Sequence, residues 1–255
     1  MTVGKGDIAA ARRIGLALGA ALVASTLVSS AQQSACSQLL ARARTLAERF
    51  QMAQAEQVLG DPGRRGCDVR VATMYLRGLR AAREASAKGG DAESLAPVRR
   101  AVADLEAMGD AGGPAEIASL ILRAAAAAAQ SEREEMAVVL AQALQVERAG
   151  GARGADGAPI LSAHQMAGDL WLQVHRYDEA AAAFLVARGV AGDAPRVTVG
   201  LARALAREGR IPDACDAYRT VERFAADVRT VMKAEVAEAR EFLGRPACRP
   251  VARQP

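Results

Sequence analysis

The residues able to do chemistry are few and scattered. His164 and His175 are the only histidines, and neither lies in an HExxH pattern or beside a serine on a nucleophile elbow. Four cysteines, Cys36, Cys67, Cys215 and Cys248, contain no CxxC pair of the kind that holds zinc or cycles electrons. The adjacent carboxylates Glu134 and Glu135 fall where a helix begins, a position in which acidic side chains suit the helix dipole. Gly151, Gly154 and Gly157 imitate a phosphate loop, but no strand precedes them. The pattern therefore predicts no enzyme, no metal site and no cofactor.

Nucleic acid is excluded on similar grounds. The formal charge is +4, but only Lys5, Lys88 and Lys233 of the 33 cationic residues are lysines, and the doublets Arg64-Arg65 and Arg99-Arg100 stand alone. Binding of single strands would want cations interleaved with exposed aromatics, and aromatics make up only 3% of the chain. What remains is a chain that is 51% apolar, mostly through alanine, the best helix former. An all-α fold is expected.

The stretch "GDLWLQVHRYDEAAAAFLVA", 168–187, reads as two short helices joined at a tight turn around His175. Shifted by 34 residues, it overlies the segment that follows. Gly168 falls on Ala202, Trp171 on Leu205, Tyr177 on Ile211, Ala180 on Ala214 and Phe184 on Tyr218. Small residues where two helices cross, large apolar residues on either side and this period together resemble the tetratricopeptide repeat. The resemblance implies that Gly168 meets Ala180 at the crossing, with Trp171, Tyr177 and Phe184 as the packing wedge.

Helical periodicity extends the reading to the rest of the chain. Residues 36–59 form a worn hairpin ending in the turn "GDPGRRG", followed by helix pairs over 68–87 with 94–108 and over 115–130 with 132–148. Ser131 and Glu134 make a capping box. A last helix over 226–243 stops at Gly244. The expected fold is an all-α, tetratricopeptide-like solenoid of about five hairpins plus a C-terminal capping helix. It divides into degenerate hairpins over 32–149, a loop over 150–159, and a repeat pair with its cap over 160–255.

Residues 1–31 carry Lys5, Arg12 and Arg13, an uncharged run from Ile14 to Val28, and Ser29-Ser30-Ala31, the pattern of a secretory signal cut after Ala31. The expected location is periplasmic or secreted. An uncleaved membrane anchor, or lipid on Cys36, is the alternative, and membrane contact is expected only then. In an exported chain four cysteines suggest disulfides, and spacings near one hairpin favour Cys36–Cys67 and Cys215–Cys248 among three connectivities. Cys215 should open one helix and Cys248 follow the end of the next, ends that antiparallel neighbours bring together.

In the family resembled, the concave groove is lined by the first helix of each hairpin. By that resemblance the groove falls on Gln165, Asp169 and Gln173 in one unit, and on Arg196, Val199, Arg203 and Arg207 in the next. The arginines on one helix face would receive an acidic or carboxylate-ended peptide. The resemblance thus implies a scaffold or adaptor that binds a peptide or helix of a partner protein in the cell envelope. A membrane-anchored structural subunit that mainly oligomerises is the second reading.

Overall fold

In a computed structural model the structure describes residues 35–60, 68–109, 111–150, 159–228 and 232–249. Among them the chain is helical throughout, with no strand. Helix α1 covers 35–48, α2 Met52–Leu59, α3 Arg70–Ala87, α4 Ala96–Glu106, α5 Pro114–Ala129 and α6 Arg133–Ala149. Then come α7 Ala163–Gln173, α8 Tyr177–Ala191, α9 Pro195–Glu208, α10 Ile211–Val228, α11 Lys233–Leu243 and a 3-10 turn at Pro246–Cys248. The signal and anchor readings of residues 1–31 and the loop over 151–158 lie outside the described residues.

Five turns share one device. Phe50, Gly89, Ser131, His175 and Gly209 all take positive φ, between 61° and 91°. In each case the following amide closes a six-residue ring onto the helix just ended. Gln51 N donates to Leu46 O at 2.9 Å, Gly90 N to Ala85 O at 2.8 Å, and Glu132 N to Ala127 O at 2.9 Å. Arg176 N donates to Trp171 O at 2.9 Å and Arg210 N to Leu205 O at 3.0 Å. A left-handed residue followed by this bond satisfies carbonyls that the helix end would orphan, and it reverses the chain. The helices thus pair as five hairpins, α1/α2 through α9/α10, with α11 packed on α10.

Two caps differ from the sequence reading. Ser131 makes no capping box, because its positive φ is spent on the turn; α6 begins after Glu132, with no side-chain cap. The last helix does not begin at 226, since the amphipathic run from Ile211 continues α10 to Val228. Ser162 caps α7 through Gln165 N at 3.2 Å, and Pro195 occupies the first turn of α9, where its missing N–H costs little.

Packing follows the small residues. The helix α5, with its six-alanine run, is buried on most of its surface and touches α3, α4, α6 and α7. A methyl group on Gly78 of α3 would stand 2.4 Å from Leu122 of α5. At the Gly168 crossing the Phe184 ring occupies the notch, 2.6 Å from where a Cβ of Gly168 would lie and 2.2 Å from that of Gly200. One ring therefore joins α7, α8 and α9. Ala180, Ala202, Leu205, Ala214 and Tyr218 are buried around it. Trp171 is only half-buried and bridges two apolar clusters, one running from Leu39 to Val174 and the other from Ala180 to Cys248. Tyr177 leaves the expected wedge, being half-exposed, with its hydroxyl 3.0 Å from His175 Nδ1.

The Cys215–Cys248 disulfide is present, with Cα atoms 5.5 Å apart. It ties α10 to the 3-10 turn after α11, as the antiparallel arrangement predicts. Cys36 is not a free thiol, and Cys67, its expected partner, lies outside the described residues.

The N-terminal hairpin does more than stack at one end. Gln165 Nε2 of α7 donates to Glu48 Oε2 of α1 at 2.9 Å, across 117 residues of sequence. Tyr75 Oη donates to Leu161 O at 3.3 Å, Gln173 Nε2 to Ser86 Oγ at 3.1 Å, and the Arg196 guanidinium lies 4.9 Å from the centre of the Phe50 ring. These contacts bring α1, α3 and the turn at Phe50 against α7 and α9, and they border a space.

Candidate functional site

That space is a cavity of about 1120 Å³. Its walls come from the α1–α2 turn and α3 on one side, from α7 and α9 along its floor, and from α10 and α11 opposite. Asp169, Gln173, Arg196, Arg203 and Arg207 line it, together with Leu172 and Ala206. Gln165 and Val199 do not. Both are buried, Gln165 against Glu48 and Val199 in the core beneath α9.

The arginines of α9 are not equivalent. Arg196, only 2% exposed, gives Nε and Nη2 to Asp169 Oδ2, each at 2.7 Å, and the Phe50 ring covers its face. Arg203 forks onto Glu238 of α11 with contacts of 2.6 to 3.1 Å, and Tyr218 Oη donates to the same carboxylate at 2.7 Å. Burial pushes the Glu238 carboxyl up, but the hydrogen bonds from Arg203 and Tyr218 outweigh it and hold the pKa below the usual range. Arg207 is exposed and makes no ion pair among the described residues. The expectation of three available arginines on α9 is therefore corrected: two already hold acids of this chain.

A further cation arrives from a helix that sequence reasoning did not associate with the groove. Arg83 of α3 lines the cavity, and its pKa is lowered, first by burial and then by the Arg196 cation, with Asp169 opposing and Arg203 adding to the depression. Phe50, Phe242 and Arg245 were missed as well, and Arg245 stacks 4.4 Å from the Phe242 ring. No spacing rule finds them, since they converge only through long-range folding. Arg83 lies three residues after Arg80, but Arg80 turns to Glu56 at 2.9 Å.

Glu48 sits at the edge of the Arg196 cluster. Burial raises its pKa, while the Gln165 hydrogen bond and the Arg196 and Arg44 cations pull it down and Asp169 pushes it up again. A carboxyl with a raised folded pKa contributes most to stability when protonated, and that contribution is lost as pH rises from the ordinary carboxylate range through the folded value. Glu48→Gln, which keeps an acceptor for Gln165, is expected to raise the melting temperature at pH 7, by up to a few degrees. The gain should shrink towards about pH 3, below the ordinary carboxylate range, where the wild-type side chain is protonated in both states. Equal melting temperatures at pH 7 would refute the assignment.

Among the described residues no three of His, Cys, Asp and Glu come close enough to hold a metal ion, and no helix is long and apolar enough to cross a membrane. Fold and cavity together define a class: an all-helical protein of packed hairpins around an arginine-rich groove. Comparison with family models, with curated proteins and with solved structures gives no match.

Proposed function

We propose that the protein is an exported, non-enzymatic adaptor built on a tetratricopeptide-like stack of hairpins, which receives a peptide or helix of an envelope protein in its groove. The observation that carries this reading is the cavity itself. At about 1120 Å³ it exceeds the usual range of small-molecule sites, and it mixes apolar surface from Met52, Leu79 and Leu172 with arginines. The tetratricopeptide resemblance is supported by the 34-residue register of His175 and Gly209, which make the same left-handed turn. Export is supported by the Cys215–Cys248 bridge, which suits an oxidising compartment.

The test is site-specific photocrosslinking in a host with an exporting envelope. A photoreactive side chain at Leu172, inside the groove, is expected to give a discrete product with another protein that the same group at Val138, exposed on α6, does not. Arg207→Glu, at the α9 arginine that makes no ion pair among the described residues, should weaken that product at least severalfold while leaving helicity intact. Identical products from Leu172 and Val138, or none from either, would refute the groove.

A second reading has its own support. Leu185, Val186 and Val190 of α8 are exposed, Val190 by 82%, and they form an apolar edge suited to self-association. A mass that rises with concentration would favour this oligomerising subunit. A stable monomer that crosslinks from Leu172 favours the adaptor.

A further inference from the structure

Arg196 carries an unmet demand. Its Nη1 is the one buried side-chain polar atom among the described residues that has no hydrogen-bond partner. Asp169 engages Nε and Nη2, and the Phe50 ring fixes the guanidinium plane, so the group cannot turn to find another acceptor without breaking both contacts. An unpaired buried donor costs about 1–3 kcal/mol, more when charged. A fold that holds it in place at the wall of a cavity leaves that donor for an acceptor arriving from outside.

The surroundings point to an anion. Arg83 lines the same cavity as Arg196 and Arg203, so their positive charges share one space. Neither Arg83 nor Arg207 has an ion pair among the described residues. The cavity wall carries six arginines against the three carboxylates of Asp169, Glu238 and Glu241, an excess of three positive charges. An incoming acid would relieve the repulsion between Arg83 and Arg196 and supply the acceptor that Nη1 lacks.

We propose that this end of the groove is a carboxylate-recognition site in which Arg196 and Arg83, with Arg207 beside them, hold an acidic side chain of an extended peptide. The proposal rests on the groove reading above and names what the groove selects. It also moves the anchor from the three arginines of α9 to a pair spanning α3 and α9. A side chain is favoured over a chain terminus because the excess of charge is distributed: a terminus brings one negative charge, whereas an acidic segment brings several. Arginine suits the task through its permanent charge and planar donors.

The test uses the full chain and three fluorescein-labelled peptides followed by anisotropy. The first alternates Glu and Leu and ends in an amide, the second replaces every Glu by Gln, and the third is the Gln peptide with a free carboxylate end. The Glu peptide is expected to bind at least about tenfold more tightly than the amidated Gln peptide, with a preference that falls as salt is added. Arg83→Gln with Arg207→Gln should erase most of that preference, while Arg188→Gln, on the exposed face of α8, should leave it unchanged. Both groove positions reach solvent, and unchanged thermal unfolding of the double variant confirms that its fold is kept.

Equal binding of the Glu and Gln peptides would overturn this site and leave the peptide groove standing. A preference that survives Arg83→Gln with Arg207→Gln would overturn it too. Preference for the free carboxylate end alone would overturn the side-chain assignment. Absence of binding by all three peptides at about 1 mM would overturn both the site and the groove.

Discussion

Replacing Cys215 and Cys248 together by serine is expected to lower the free energy of unfolding by about 3–4 kcal/mol, the chain-entropy value for a loop of this length. The bridge spans 33 residues of sequence and closes the loop that contains α11. Without it, α11 would depend on Val236, Ala239 and Phe242 packing, on the Tyr218–Phe242 ring contact at 4.6 Å and on the Arg203–Glu238 pair. Arg219 Nη2, which donates to Cys248 O at 2.8 Å, would lose a positioned acceptor. Urea unfolding of the oxidised chain and the serine variant measures the loss. Because α11 forms one wall of the groove, hydrogen exchange should show Lys233–Leu243 opening before α7 and α9. A loss below about 1 kcal/mol would mean that α11 is held by packing alone.

Phe184→Ala is expected to cost about 3–5 kcal/mol. The ring is fully buried, and both Gly168 and Gly200 lack a Cβ where it sits, so the site has been shaped from two helices and cannot collapse around an alanine. The same geometry predicts the reciprocal change. Gly200→Ala places a methyl group 2.2 Å from Phe184 Cζ and should destabilise by about 1–3 kcal/mol through overpacking. Combining Gly200→Ala with Phe184→Leu should be less damaging than the sum of the two, because the smaller side chain yields the space. Thermal and denaturant unfolding of the four proteins closes the cycle, and strict additivity would refute the direct contact.

Much of the helical order is legible in the sequence. The hairpin periodicity from residue 36 onwards, the turn at His175 and its counterpart at Gly209, the stop at Gly244 and the Cys215–Cys248 bridge follow from local signals. Turn residues, helix periodicity and antiparallel neighbours act over a few tens of residues, and so they can be read in a line of text. Ser131 shows where such reading fails. A serine followed three residues later by glutamate satisfies the capping pattern, but the turn needed a left-handed residue at the same position, and the backbone conformation took precedence over the side-chain bond.

The sequence by itself determined that the chain is helical, that its helices pair and where the described bridge closes. Tertiary structure decided which arginines remain available. On one face of α9, Arg196, Arg203 and Arg207 look alike in the sequence. Asp169 and Phe50 immobilise the first, Glu238 with Tyr218 neutralises the second, and the third is left to solvent. A further groove cation, Arg83, comes from α3, far from α9 along the chain. Charge availability depends on which acids and rings fold against a guanidinium, and such contacts are set by how distant helices pack together rather than by spacing along the chain.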